Sequence, residues 1–433
     1  MVFSGEGFTK LSHIYHDAFR SNLIRSKYVD TSRPVLINNW EATYFDFTAD
    51  KLLEIAKEAK EIGLDLFVLD DGWFGKRDTD DSGLGDWYVN EDKIKGGLPA
   101  LVKKIRGMGL KFGFWIEPEM ISEDSDLYRA HPEWCLKIPN RDLVRGRNQL
   151  NLDVSRKDAR DYIMDMIFEV MDACEVDYIK WDMNRSLANV YSAAVPKERQ
   201  GEVYHRYVLG VYDMMERMVQ RYPDLLFENC SGGGGRFDAG MLYYSPQIWG
   251  SDNTDAVNRI KIQYGTSFCY PISTVGAHVS VCPNHQTGRE TSFETRGIVA
   301  SAGSFGYELD LRRMTQEEKD MAKQQILEYK KMELLVKNGD YYRLTDPFTD
   351  QNYAAWQFVS KDKKETIVDG VMIRCEGNPL HHILKMAGLD PKAHYREEAS
   401  GKIYTGAALM KAGIQLLPKP GEYQAFRFRF LMV

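Results

Sequence analysis

The sequence predicts an α/β fold: a (β/α)8 TIM barrel followed by a small C-terminal antiparallel β-sandwich domain. Three observations carry that expectation. From about residue 35 to residue 300, short apolar runs alternate with longer amphipathic stretches. Nearly every apolar run closes on polar or aromatic residues, which disfavours an open doubly wound sheet with a single switch point. After about residue 305 the rhythm changes to short β-like pieces separated by turn residues.

The first 34 residues have no clear pattern and read as a connector. Eight strand candidates follow: VLINNW (35–40), LFVLDDGW (66–73), FGFWIEPEM (112–120), QLNLDVS (149–155), DYIKWDMN (177–184), LLFENCS (225–231), QIWGSDNT (247–254) and ISTVGAHVS (272–280). Between the first two, TADKLLEIAKEAKEIG reads as a helix. Thr48 caps its start and Gly63 its end, with Leu52, Ile55, Ala56, Ala59 and Ile62 on one face. In SRKDARDYIMDMIFEVMDAC, Ser155 and Asp158 form an S-x-x-D cap pattern, and Tyr162, Met166, Val170 and Cys174 recur every four residues. Eight β-then-α units predict a barrel over 35–335. TQEEKDMAKQQILEYKKMELLVKNG (315–339) reads as one helix, and the pieces YAAWQFVS, ETIVDGVMI, AHYREEAS, KIYTGAAL and YQAFRFRF predict a β-domain over 340–433.

Bulk properties narrow the function classes. The 433 residues carry 56 basic and 63 acidic groups, with a net charge of −7. No Lys/Arg stripe stands out, so no nucleic-acid partner is expected. No run approaches the roughly 20 apolar residues that cross a bilayer, so no membrane role is expected. The N-terminal stretch lacks the basic-then-apolar pattern of a signal peptide. The six cysteines are scattered without a C-x-x-C pair. A cytoplasmic setting is the expectation.

Such a barrel builds its site at the C-terminal strand ends. Those ends supply Trp40 and Glu41; Asp70, Asp71 and Trp73; Trp115, Glu117 and Glu119; and Asp153. They continue with Lys180, Asp182 and Asn184; Glu228 and Cys230; and Asp252 and Asp255. Stripping carboxylates of water is costly, so a ring of them needs a task. Glycoside hydrolysis fits: one carboxylate supports the anomeric carbon, another protonates the leaving oxygen, and aromatic walls hold the ring. Lys180 alternates with Asp182 on one strand face, so its ammonium favours the ionised acid. No phosphate loop and no H-E-x-x-H pattern occurs, and His278 and His285 lack a third ligand, so no metal and no cofactor is expected. Plainer readings stand beside these. Asp182 could only cap a turn or pair with Lys180, and Asp70-Asp71-Gly72 could only shape one. The tryptophans could be packing. Cys230 reads more simply as an inert thiol. SGGGG (231–235) fits a phosphate cradle, a hinge or a close backbone approach.

Six motifs in order, NNWEATYFDF, LDDGWFGKRDTDDSGLGDW, FGFWIEPEM, IKWDMNR, ENCSGGGGRFD and WGSDNTDA, resemble the α-galactosidases of glycoside hydrolase family 36, the melibiase type. The resemblance implies a retaining exo-α-galactosidase acting on melibiose- or raffinose-like oligosaccharides. It makes Asp182 the nucleophile and Asp252 the general acid/base, with Asp255 as the alternative acid. It puts Asp70 and Asp71 on the C4 and C6 hydroxyls, Lys180 and Arg147 on ring hydroxyls, and Trp40 and Trp115 along the sugar. Asn184 and the turn Cys230-Ser231-Gly232 lie near the C2 hydroxyl by the same resemblance.

Family members carry a large N-terminal β-domain before the barrel. This chain begins about where that domain should end, so the first 34 residues are expected to be a connector left from a missing domain. That domain helps to build the tetramer in relatives, which leaves homo-oligomerisation here without its usual basis. Three alternatives use the same residues differently: an α-galactosyl transglycosylase of the raffinose-synthase kind, an inactive truncated sugar-binding remnant, and a Mg²⁺-dependent lyase barrel.

Overall fold

The computed structural model describes residues 3–378, 381–417 and 419–433. Met1 and Val2 of the expected connector, and positions 379, 380 and 418 of the C-terminal part, lie outside that description.

Eight parallel strands close into a barrel. In chain order they are β1 (Leu36–Asn38), β2 (Leu66–Leu69) and β3 (Lys111–Ile116). A short antiparallel ladder of β4 (Met120–Ile121) and β5 (Leu150–Asn151) then stands outside the barrel. The barrel continues with β6 (Tyr178–Trp181), β7 (Leu226–Asn229), β8 (Gln247–Trp249), β9 (Val275–Ser280) and β10 (Ser304–Glu308). Each strand pairs with its barrel neighbour in the chain, and β10 returns to β1 through Leu36 opposite Gly306. The sequence reading therefore needs one exchange. QLNLDVS is not a barrel strand, because Leu150 and Asn151 pair with Ile121 and Met120 on the rim. The closing strand is Ser304–Glu308, which the sequence reading had placed at the change of rhythm.

Side chains alternate across the barrel wall as strand geometry requires. Ile37, Phe67, Phe112, Ile179 and Phe227 face the helices, in the main core. Leu36, Leu66, Val68, Tyr178 and Leu226 fill the barrel interior, together with Tyr28. Arg33 lies buried beside Gln247 and donates to the carbonyls of Ser273 at 2.6 Å and Pro246 at 3.1 Å. With the lower interior filled, the open end is the C-terminal one.

The helix Ala49–Ile62 has the expected caps: Thr48 accepts from the Lys51 amide, and Gly63 takes a left-handed φ of 91°. Burying Leu52, Ile55 and Ile62 contributes about 2 kcal/mol each relative to exposure. Two expectations for the helix Lys157–Asp172 need correction. The Ser155 hydroxyl donates to Asp153 instead of capping the helix, and the core face is Ala159, Ile163, Ile167 and Val170, with Tyr162 exposed. The helix Gln316–Asn338 opens on a complete Thr315/Glu318 capping box.

The C-terminal part is a six-stranded antiparallel sheet. Its chain-order strands are β11 (Asp340–Arg343), β12 (Tyr353–Val359), β13 (Glu365–Met372), β15 (His394–Glu397), β16 (Ile403–Thr405) and β18 (Gln424–Met432). A separate pair, β14 (His382–Leu384) with β17 (Ile414–Leu416), completes it. The stretch read as KIYTGAAL turns from strand to helix at Gly406. Residues that showed no sequence pattern form a helix, Phe8–Ala18, tied to both parts. Its His13 bonds the Tyr341 carbonyl and its His16 the Ser267 carbonyl, each at 2.9 Å.

Candidate active site

Strand ends at the C-terminal mouth surround a cleft of about 320 Å³. Asp70 ends β2, Trp115 comes from β3, and Lys180, Asp182 and Asn184 come from the end of β6. Asp71, Trp40, Arg147 and Asp252 complete the predicted set that lines it. A larger groove of about 710 Å³ runs between the helix Gln316–Asn338 and the C-terminal sheet. Its Arg427 and Arg429 are paired with Asp369 and Glu365, and none of the sequence-predicted site residues lines it.

Asp182 is held by four donors. The Trp115 indole N–H and the Asn184 amide donate to Oδ2 at 3.1 and 2.9 Å. The backbone amides of Met183 and Gly232 donate to Oδ1 at 2.7 and 3.2 Å. Burial alone pushes this carboxyl up, but Lys180 and Arg147 outweigh it and hold Asp182 below the ordinary carboxylate range.

Asp252 follows β8, one strand removed from β6 around the barrel. The Trp249 indole N–H donates to its Oδ1 at 3.1 Å, and Arg147 Nη1 lies 3.9 Å from its Oδ2. Protein surrounds Asp252, yet its side chain remains open to the cleft. Burial and the charge on Asp182 push Asp252 up, against Lys180 and Arg147. The surroundings thus displace the proton affinities of the two acids in opposite directions.

Lys180 sits where the sequence put it, but its contact is a different acid. Nζ bonds Asp70 Oδ2 at 2.9 Å and acts on Asp182 only through space. Burial works against the ammonium, and Asp70 and the neighbouring acids more than compensate. Burial also pushes Asp70 up, but the 2.9 Å contact argues for an ion pair, since a neutral acid there would strand a buried ammonium. Asp71 is gripped side-on by Arg77, with Nη2 at 2.9 Å and Nε at 3.0 Å. That is more than a turn residue needs.

Three predicted residues sit behind Asp182 and not on the cleft. Cys230 is fully buried and its Sγ accepts from the Gly233 amide at 3.3 Å; burial and the two acids push its thiol well up. Ser231 donates to the Met183 carbonyl, and Gly232 reaches the site only through its amide. The glycine run makes a close backbone approach: a Cβ on Gly233 would fall 2.6 Å from Ser251 Cα.

Other strand-end acids go elsewhere. Asp255, the alternative acid, caps the helix Ala256–Thr266 through the Asn258 amide and pairs with Arg289. Glu119 accepts from Trp181 and Tyr207. Asp153 accepts from Ser155, and Glu228 from Gln247. Trp73 is a packing residue whose indole N–H meets the Trp115 carbonyl. Glu117 is buried behind Asn184 and accepts from Gln149 at 2.7 Å.

The cleft also holds residues the sequence reading did not assign to it: Trp249, Thr254, His285, Gln286 and Glu308. Glu308 sits at the end of the unrecognised strand and bonds His278 at 3.1 Å. His285 lies 3.4 Å from Glu41, which burial and Glu308 push up to about 8.

Comparison with known proteins matches this architecture. Residues 1–339 match the Melibiase family model, and residues 353–430 the glycosyl hydrolase family 36 C-terminal domain. The bifunctional α-galactosidase/sucrose kinase AgaSK of Mediterraneibacter gnavus is 57% identical over 99% of this chain and 45% of its own length. The α-galactosidase AgaA of Geobacillus stearothermophilus is 51% identical over 100% of this chain and 59% of its own. The crystal structure of AgaA superposes with a TM-score of 0.97 over 99% of this chain and 59% of that one. The chain therefore spans about half to three-fifths of the length of these relatives. On the family-model match to most of its residues and these identities, the chain belongs to the melibiase family of glycoside hydrolase family 36.

Proposed function

We propose that this chain is a retaining exo-α-galactosidase that removes terminal α-galactosyl residues from oligosaccharides. The observation that carries the reading is the pair Asp182 and Asp252, whose proton affinities are displaced in opposite directions in one sugar-sized cleft. In the first step the Asp182 carboxylate attacks the anomeric carbon. The glycosidic C–O bond breaks, and the departing oxygen takes the Asp252 proton. Forming the galactosyl ester removes the Asp182 charge. The repulsion that held the Asp252 proton then disappears, and Asp252 becomes the carboxylate that takes a proton from water. That water adds to the anomeric carbon and expels Asp182, with net retention.

Asp70, with Lys180, and Asp71, with Arg77, offer acceptors to sugar hydroxyls, while Trp40 and Trp115 wall the ring. The substrate class is supported by relatives: structures of AgaA variants hold raffinose and stachyose.

The test is a covalent trap. A fluorinated α-galactosyl fluoride incubated with the full chain should leave one galactosyl ester, on the peptide bearing Asp182. A label on another residue overturns the assignment, and turnover by an Asp182→Asn variant would do so equally.

A further inference from the structure

Arg259 is a buried cation whose hydrogen bonds all go to backbone carbonyls. It lies in the helix Ala256–Thr266 and is 4% exposed. Its Nη2 donates to the Ser251 carbonyl at 2.8 Å, and its Nε to the Asn253 carbonyl at 2.9 Å. Its Nη1 donates to the Gly276 carbonyl on β9 at 3.0 Å. No carboxylate lies within ion-pair distance among the described residues. The first two carbonyls bracket Asp252, and the third belongs to the rigid barrel wall.

The same guanidinium lies 4.3 Å from the centre of the Trp249 ring, whose N–H bonds Asp252 Oδ1 at 3.1 Å. Space is cut for both groups. A Cβ on Gly250 would sit 2.8 Å from Arg259 Nη1, and one on Gly276 would sit 3.0 Å from the indole. Burying an arginine without a carboxylate partner is expensive, and burial pushes this one down to about 10. A hydrophobic side chain would fill the volume without that cost but would leave three carbonyls unbonded. Only a flat fork of donors spans three carbonyls at once.

We propose that Arg259 is a positioning residue for the proton donor: it ties the 251–253 loop to β9 and steadies the indole that orients the Asp252 carboxyl. The inference rests on the two-acid reading given above. It makes the aim of Asp252 depend on a group that never touches substrate. A proton donor that drifts by about an ångström loses much of its effect on a poor leaving group, while an activated phenol departs without help. A freed loop would also let Asp252 turn to water, away from the burial and the Asp182 charge that raise its proton affinity.

The test uses the full chain with Arg259→Lys, Arg259→Met and Trp249→Phe. Each is measured on melibiose and on a dinitrophenyl α-galactoside, with melting temperature and hydrogen exchange of residues 250–254. The expected result for Arg259→Lys is a loss of kcat/KM of about 100-fold on melibiose and less than about 5-fold on the aryl substrate. The alkaline limb of the melibiose profile should move to lower pH, and exchange at 251–253 should quicken. Trp249→Phe should reproduce the substrate selectivity more weakly, which keeps the test decisive if Arg259→Met does not fold. Equal losses on both substrates with an unmoved alkaline limb, or unchanged exchange at 251–253, overturn the proposal. If the wild-type chain cleaves neither substrate, the hydrolase reading fails, and the exchange measurement alone decides whether Arg259 holds the loop.

Discussion

Glu117 shows how one buried acid links the site to stability. Its Oε1 accepts from Gln149 and from the Asn184 amide, while Oε2 has no partner among the described residues. Burial and the nearby Asp182 charge push it up to about 8, so at neutral pH it is mainly the uncharged acid. The folded state then holds a proton that the unfolded chain releases above its ordinary value of 4.5. The stability from that proton is full below pH 4.5 and is lost as pH rises through about 8. Glu117→Gln keeps an acceptor for both donors and removes the titration. Its melting temperature should decline less between pH 6 and 9 than that of the wild type, by about 1–2 °C in a scan of each; parallel declines would rule the assignment out. The proposed catalytic pair makes its own prediction. The acid limb of kcat/KM should lie below the ordinary carboxylate range, where Asp182 takes up a proton, and the alkaline limb above it, where Asp252 loses one. Lys180→Met should move the acid limb upward, read from kcat/KM between pH 3 and 7.

At the residue scale the acids were legible because strand ends in a barrel share one mouth. Partnership was not: Lys180 was read with Asp182, two positions away, but bonds Asp70 at the end of β2, the next strand but one. Trp249 was hidden inside its strand candidate, and His285 and Gln286 reach the cleft from the loop after β9, several residues beyond the strand end.

At the scale of elements, the turn after β7 sets the aim of the loop after β8. Gly233 has φ of 87°, and a Cβ there would lie 2.6 Å from Ser251 Cα and 2.7 Å from the Asp252 amide nitrogen. Neither neighbour is the end of a flexible side chain, so the loop bearing Asp252 must move. Gly233→Ala should cost about 2–4 kcal/mol of stability, from overpacking and from left-handed strain. It should also lower kcat/KM on melibiose at least about tenfold, since the displaced group is the proposed proton donor. Gly96→Ala is the control. It has the same kind of φ, at 88°, but nothing within 4 Å of the added carbon, so it should lose stability alone. If both variants keep full activity, the close approach does not set the Asp252 position.

The elements that sequence reading placed well carry punctuation, as Thr48 and Gly63 do around their helix. The closing strand is marked only weakly. Just Ser301, Ala302 and Gly303 separate the helix Phe293–Ala300 from Ser304–Glu308, with no Pro, Asn or Asp between them. QLNLDVS misled for the opposite reason. It alternates like a strand, and Leu150 and Asn151 do pair, but on the rim. The helix Lys157–Asp172 was read one stripe away because a strict spacing of four drifts around a helix of 3.6 residues per turn, and the buried face mixes steps of three and four.

At the scale of the whole molecule, the barrel and the C-terminal sheet share one core. Trp356, Phe358, Ile367 and Val371 belong to the same buried cluster as the barrel helices, while Ala355, Val359, Val368 and Met372 pack on the other face. Both faces of the sheet are therefore buried, which is why its pieces were recognisable in the sequence but their packing was not. The helix Phe8–Ala18 was invisible for a related reason: its buried residues are Ser12, His13 and His16, so it docks through polar contacts that hydrophobic periodicity does not detect. Those contacts reach Phe268 and Ser267 of the barrel and Tyr341 of the sheet. Arg427 adds a tie from the sheet side. It pairs with buried Asp369 at 2.7 and 2.8 Å and donates to Ser301 of the barrel at 2.7 Å. Asp369→Ala would leave that guanidinium with only the Glu328 carboxylate, at 3.8 Å, a loss of about 2–3 kcal/mol. Because the core is shared, the loss should lower a single melting transition and not release the sheet from an intact barrel. Near-ultraviolet circular dichroism, to which Trp356 of the sheet contributes beside the barrel tryptophans, and calorimetry should give one coincident midpoint for the wild type and one lower coincident midpoint for the variant. Two resolved transitions in the variant would mean that the sheet folds and fails on its own and that the core is not shared.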